Sequence, residues 1–240
     1  MALSYASQQS QPRESSKKRV GITMFGVTTP AVDTIRQRLE SKYGLETYVF
    51  HATGHGGKAM ERLVREGALD AVLDLTTTEI CDFLTGGNMS AGGNRLEAAA
   101  KAGIPNIVSL GATDMSNFGP KGTVPERYHD RLLYEHNPVV TLMRTSEEEA
   151  RQVGEFITGK LKEFGTRLDL IEVWIPRAGV SMIATAGAPF ADSKADQALF
   201  LAIRDGLQST GIKIVEDERA INDDGFAADI ADALAKKMGL

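Results

Sequence analysis

The chain has a single cysteine, Cys81, and a single tryptophan in 240 residues, and aromatic side chains make up 6% of it. One thiol excludes an internal disulfide framework and a cysteine-built zinc knuckle. It suits a reducing setting, and a cytoplasmic location is the expectation. No apolar run approaches the roughly 18–20 residues a membrane-spanning helix needs, so no membrane partner is expected. Positive charge is in deficit, with 27 Lys and Arg against 32 Asp and Glu, a net charge of −5. Direct binding to a nucleic-acid backbone needs clustered cations and is not expected. Signatures of compact catalytic sites are also missing. Gly179-Val180-Ser181-Met182 lacks the closing glycine of a nucleophile elbow. His51 and His55 are four apart but fall at a strand-to-loop junction, not on one helical face, so no metal site is expected.

The charge that is present is uneven. Residues 1–19 carry Arg13, Lys17, Lys18 and Arg19 against Glu14, together with many Ser and Gln. That composition reads as a disordered tail without the apolar centre of a secretory signal. From residue 20 the pattern is that of one ligand-binding domain, 20–240. Short apolar runs at 20–25, 47–50, 71–75, 107–110, 139–143, 168–175 and 212–215 alternate with helical periodicities. Strands buried on both faces read this way, because crossover helices cover the sheet on each side. The expectation is an α/β fold, a doubly wound and mostly parallel Rossmann-like sheet. Residues 111–137 show no firm periodicity and read as a long excursion that covers a site or a partner.

In an open parallel sheet, ligands bind beyond the carboxyl ends of the strands. The segments there are rich in glycine and small hydroxyls. Thr28 and Thr29 follow the first strand. Gly54-His55-Gly56-Gly57 follows the second, ahead of a helix whose free N–H groups and dipole suit an anion. Thr76, Thr77 and Thr78 follow the third, beside Glu79. Gly86 to Asn94 forms a second Gly-rich loop, closed by Arg95, which can pair with phosphate or carboxylate. These residues form the expected binding set: Thr28, Thr29, Gly54, Gly56, Gly57, Thr76, Thr77, Thr78, Asn94 and Arg95. The ligand would be a phosphorylated or carboxylated small molecule. Glu79 is the candidate general base of a hydrolase- or lyase-type enzyme, assisted by Asp114, His55 or His136. His136 precedes the predicted strand at 139–143. It therefore starts at the wrong end of that strand and reaches the site only through the 111–137 excursion or a second subunit. Asp74 lies inside a strand and must be hydrogen-bonded or paired. Cys81 has no base beside it and reads as inert.

Several of these stretches, in this order, resemble the C-terminal half of the Tm-1-like ATP-binding domain family, also known as UPF0261. They are Gly21 to Pro30, Phe50 to Glu61, Asp74-Leu75-Thr76-Thr77-Thr78-Glu79, Ser90-Ala91-Gly92, Gly111 to Gly119, and His136-Asn137-Pro138 with Thr141 to Thr145. The likeness runs from about residue 20 to the end. It implies a Rossmann-like half that packs against a second, N-terminal half carrying most of the nucleotide-binding residues. A plant member binds ATP and inhibits a tobamovirus replication protein. The resemblance thus implies ATP or another phosphorylated ligand, with magnesium only alongside it. It also implies a composite site completed by a separate N-terminal-half protein or by a homo-oligomer, with an interaction module as a further reading. The chain departs from the family pattern at Ala31, where Cys is usual, at His55, where Thr is usual, and at Gly92-Gly93, where Gly-Pro is usual. Altered ligand choice or a lost activity would follow from such changes.

Overall fold

The computed structural model describes residues 17–240, so most of the expected tail lies outside the described residues. In chain order the elements are β1 (Arg19–Met24), α1 (Thr29–Tyr43), β2 (Glu46–His51), α2 (His55–Arg65), β3 (Ala71–Thr76), α3 (Thr78–Thr85), α4 (Glu97–Ala102) and β4 (Asn106–Gly111). There follow β5 (Met115–Phe118), β6 (Leu133–Asn137), β7 (Val140–Arg144), α5 (Glu147–Phe164), β8 (Ile171–Pro176), α6 (Ser193–Leu207), β9 (Lys213–Asp217) and α7 (Asp224–Lys237).

Six strands form one parallel sheet in the order β2-β1-β3-β4-β8-β9. The fold is doubly wound α/β and Rossmann-like, as the alternating pattern predicts. Side-chain alternation sends each strand's residues to two separate cores. Val20, Ile22, Leu73, Leu75, Ile107 and Trp174 meet α1 and α7, where Ile35, Leu39, Phe226 and Ile230 are buried. Val108, Leu110, Val173 and Ile175 meet Val153, Ile157, Phe200 and Ile203 of α5 and α6 on the opposite face. Each such fully buried side chain contributes about 1.5–3 kcal/mol relative to exposure. Helix starts follow the sequence: Ser146 and Glu149 form a reciprocal capping box at α5, and Asp192 and Asp223 cap α6 and α7.

The segment expected to be a fifth parallel strand is not in this sheet. Residues 140–144 form the centre of a separate antiparallel sheet, β5-β7-β6. Much of the 111–137 excursion is therefore ordered as strand. Its β5 and β6 escaped the periodicity argument because β5 is fully buried yet half polar, and β6 is largely exposed. Together with β7 they form a second layer over the carboxyl ends of the parallel strands.

The strand order also locates the site. The chain leaves β1 for β2 on one side and returns to β3 on the other, so the winding reverses between β1 and β3. Ligands of open α/β sheets sit in the crevice outside the strand ends at such a reversal.

Candidate functional site

At the end of β1 the backbone turns through Phe25, Gly26, Val27 and Thr28 into α1. Thr28 closes this turn: its Oγ1 accepts from Phe25 N at 3.1 Å and lies 2.8 Å from Thr76 Oγ1. Thr29 Oγ1 donates back to the Phe25 carbonyl at 3.3 Å. The three threonines at the end of β3, Thr76 to Thr78, are spent on the protein itself. Thr76 N donates to Thr23 Oγ1, Thr77 Oγ1 donates to the Ser109 carbonyl, and Thr78 Oγ1 donates to the Met115 carbonyl. All three are fully buried.

The Gly54 turn has an anion, and that anion is Glu79. Its Oε1 accepts from Gly54 N at 2.7 Å and from Gly57 N at 3.1 Å, and its Oε2 accepts from Arg95 Nε at 2.8 Å. Gly54 holds φ at +89°, which an L side chain rarely adopts. A Cβ on Gly57 would overlap the Glu79 carboxylate, and one on Gly56 would overlap the His51 backbone. Those glycines are therefore accounted for by an internal carboxylate. Arg95 presents its fork to Asp74, with Nη1 and Nη2 at 2.8 and 2.7 Å from the two carboxylate oxygens, and Nη1 also reaches Glu61 at 3.3 Å. Glu61 in turn accepts from Leu96 N and Ala98 N and so caps α4. Burial pushes the Glu61 carboxyl up, against the pull of Arg95. One guanidinium and three carboxylates thus lie sealed beneath the strand ends.

The geometry places each residue of the expected site. Glu79, at 0% exposure, is a poor candidate for a general base that must reach a substrate proton. Arg95, at 1% exposure, is committed to Asp74, Glu79 and Glu61. Thr28, Thr76, Thr77, Thr78, Gly54 and Gly57 serve the same internal bonding. Asp114 is buried apart from them, where its Oδ2 accepts from Ser181 Oγ at 2.8 Å and burial raises its carboxyl to about 6. Asn94 and His55 are exposed, and neither borders the cleft described next. Ala31 is buried, and its N–H donates to Asn222 Oδ1.

The cleft is the feature that sequence reasoning missed. It has a volume of about 240 Å³ and lies between the ends of β1 and β2 and the antiparallel sheet. Its apolar lining is Phe25, Val27, Met89, Val140 and Leu142. Phe25, Val27 and Leu142 are buried there. Its polar lining is His51, Thr53, His136 and Asn137, of which His51, His136 and Asn137 are exposed. The rings of Phe25 and His51 lie 5.6 Å apart between centroids. His136 reaches the carboxyl-end rim because β6 and β7 form a hairpin that folds back over the parallel sheet, a geometry the 139–143 reading did not contain. His136, an expected site residue, lines this cleft and is the direct signal for it in the sequence; Val27 and Thr53 lie next to the expected Thr28 and Gly54. A larger groove of about 900 Å³ runs between α5 and α6 on the outer helical face. It is remote from the strand ends, and the smaller cleft holds the position at which such folds bind ligands.

Asp82 fixes one wall. Its carboxylate accepts from Asn117 N at 2.6 Å, from Asn117 Nδ2 at 3.1 Å and from Met89 N at 2.9 Å, tying the Gly-rich loop to β5. Burial outweighs these donors and pushes the Asp82 carboxyl up to about 7. Among the described residues no group of three or more His, Cys, Asp or Glu is arranged to hold a metal ion, and no helix is long and apolar enough to cross a membrane.

Comparison with known proteins places this sequence in a family. The uncharacterised protein family UPF0261, C-terminal domain, matches residues 17–238. A UPF0261 protein of Clostridium tetani is 47% identical over 225 residues, covering 94% of this chain and 54% of its own length. A UPF0261 protein of Mesorhizobium japonicum is 46% identical over 225 residues, with 92% and 54% covered. The ToMV resistance protein Tm-1(GCR237) of Solanum lycopersicum is 41% identical over 222 residues, with 91% and 29% covered. The chain spans about half the length of these bacterial relatives. With the family match running over nearly all of its residues, the chain belongs to UPF0261 and corresponds to that family's C-terminal domain.

Proposed function

We propose that this domain binds a phosphorylated or carboxylated small molecule in the cleft between the end of β1 and the β6–β7 hairpin. The observation that carries this reading is the cleft's position at the reversal of strand order, with apolar residues buried in its lining and two imidazoles at its mouth. The anion expected at the Gly54 turn moves to this neighbouring space, because Glu79 fills the turn. Small-molecule sites span about 300–1,000 Å³, so a cleft of about 240 Å³ takes a small ligand or one end of a larger one. A nucleotide would extend beyond it, so ATP fits this reading only as part of a composite site that a second polypeptide or a second copy completes.

A blocking substitution tests the proposal. Gly26 borders the cleft, its φ is not in the left-handed region, and a Cβ built on it meets no atom within 4 Å. Leucine at this position extends into the open space next to the turn. Small anions titrated against the wild-type chain by calorimetry and amide NMR should perturb residues 25–27, 51–53 and 136–142, and Gly26→Leu should abolish those changes. Binding that Gly26→Leu leaves intact, or no binding of any small anion, refutes the site.

A second reading is catalytic. His51 and His136 border one small space, so proton transfer at a ligand held there is chemically accessible to two imidazoles. In that case His136→Ala would lower turnover of the true substrate by about 10²–10⁴-fold.

A further inference from the structure

We infer that the cleft selects a short aliphatic or aromatic monocarboxylate over a phosphate ester. This rests on the cleft being the ligand site. The charge and polarity of the lining point to the head group. Among the described residues no lysine or arginine borders the cleft, and His51 and His136 are its only ionisable side chains. The nearby guanidinium that could have served a phosphate, Arg95, is consumed by Asp74, Glu79 and Glu61. A phosphate ester carries about −1.5 to −2 at neutral pH, and the sites that hold such groups use arginine or lysine clamps. Here it would enter a chain of net charge −5, with no lysine or arginine among the described residues of the lining to meet it. A carboxylate brings one charge and two acceptor oxygens. The imidazoles, the Thr53 hydroxyl and the Asn137 amide can satisfy those oxygens through hydrogen bonds.

The lining also points to the body of the ligand. Phe25 at 9%, Val27 at 7% and Leu142 at 2% exposure form an apolar interior beneath exposed polar groups. A bare anion such as acetate or inorganic phosphate would leave that surface unfilled. A branched or aromatic side chain of modest size would cover it, gaining about 25 cal/mol for each Å² of apolar surface removed from water. The ligand is therefore amphiphilic, with its apolar part inward and a single carboxylate at the mouth.

A matched series tests this on the full chain. Isovalerate, phenylacetate, 2-phenylethanol, phenyl phosphate, acetate and inorganic phosphate are titrated by calorimetry, with amide NMR reporting location. The expected order places phenylacetate or isovalerate at least tenfold tighter than phenyl phosphate, acetate and inorganic phosphate, with every cleft signal lost in Gly26→Leu. His136→Ala alters an exposed side chain and leaves the fold intact. It should weaken the carboxylates at least fivefold and 2-phenylethanol by less than twofold. If phenyl phosphate binds the cleft as tightly as phenylacetate, the selectivity inference is wrong and the binding site stands. If His136→Ala weakens acid and alcohol equally, or neither, the head-group assignment is wrong. If no member of the series shifts the cleft residues, the site itself is wrong and the inference falls with it.

Discussion

The carboxylate of Glu79 occupies the space that a side chain on Gly57 would need, and it accepts that residue's N–H at 3.1 Å. A strand-to-helix turn of the kind that elsewhere cradles a ligand's phosphate is here closed by a residue 22 positions further along the chain.

Gly57→Ala should therefore be strongly destabilising. The new methyl group displaces Glu79, which is fully buried and cannot retreat into water. Overpacking alone costs about 1–3 kcal/mol, and disturbing the ion network adds to that. Urea denaturation should show a loss of about 3 kcal/mol or more. A change below 1 kcal/mol would mean that Glu79 has another rotamer open to it. Alanine at Gly26, which meets nothing, should be close to neutral and serves as the control.

Removing the carboxylate instead of crowding it should create a real anion site. Glu79→Ala leaves Gly54 N, Gly57 N and Arg95 Nε without their acceptor. Stability should fall by about 3–5 kcal/mol, the usual cost of breaking a buried pair. Added formate or acetate should restore part of it by mass action on the folded state, in proportion to ligand concentration. Thermal denaturation in formate against chloride at equal ionic strength measures this. An equal response of wild type and variant to formate counts against the geometry.

Arg95→Met should be at least as severe as Glu79→Ala. It leaves Asp74, Glu79 and Glu61 buried without their shared cation. A loss of about 3–5 kcal/mol or more is expected, and soluble yield should recover when Glu79→Gln and Asp74→Asn are added. If Arg95→Met alone denatures at the wild-type urea midpoint, the network carries little of the stability.

Asp82 gives a pH dependence with a definite sign. Its carboxyl is raised to about 7 in the folded chain, well above the ordinary carboxylate range. Between about pH 4 and 7 the folded state therefore holds more protons at this site than the unfolded state. Its contribution to stability is fully present below about pH 4 and is lost as pH rises through about 7. The stability difference between wild type and Asp82→Asn should consequently shrink or reverse as pH climbs from 4 to 8, by an amount of order 1.4 kcal/mol for each unit of the shift. Urea midpoints of the two proteins across that range measure it, and a difference independent of pH contradicts the assignment. Met89, whose N–H Asp82 accepts, should show the accompanying NMR shift.

Much of the architecture was legible in the sequence, for a physical reason. β3, β4 and β8 are buried along their whole length and carry mostly apolar residues, interrupted by Asp74, Ser109 and Glu172. The second sheet was not legible. Met115-Ser116-Asn117-Phe118 is half polar although entirely buried, because Asn117 and Ser116 are hydrogen-bonded to Asp82 and Thr85. Leu133 to Asn137 shows one weakly apolar face and otherwise faces solvent. The 111–137 excursion was the route the sequence left open for His136, and β6 at its end is the element that carries it to the strand ends. The glycine turn suggests a seat for a bound anion, but its N–H groups meet Glu79, a long-range partner that local spacing does not reveal. Asp74 was expected to need a partner and has Arg95 and Thr23. Glu61 went unnoticed because a glutamate within an amphipathic helix looks solvated; only the tertiary structure turns it onto the start of α4.

The shared guanidinium has one more consequence, in the kinetics of opening. Glu79 of α3 holds the first turn of α2, Glu61 of α2 holds the first turn of α4, and Arg95 joins both to β3. Fraying at any one of these helix starts would strand a charge inside the protein, so independent local breathing is suppressed. The amides of Gly57, Leu96 and Ala98 should therefore exchange with deuterium together, at the rate of the central sheet, although they belong to helix ends that ordinarily exchange first.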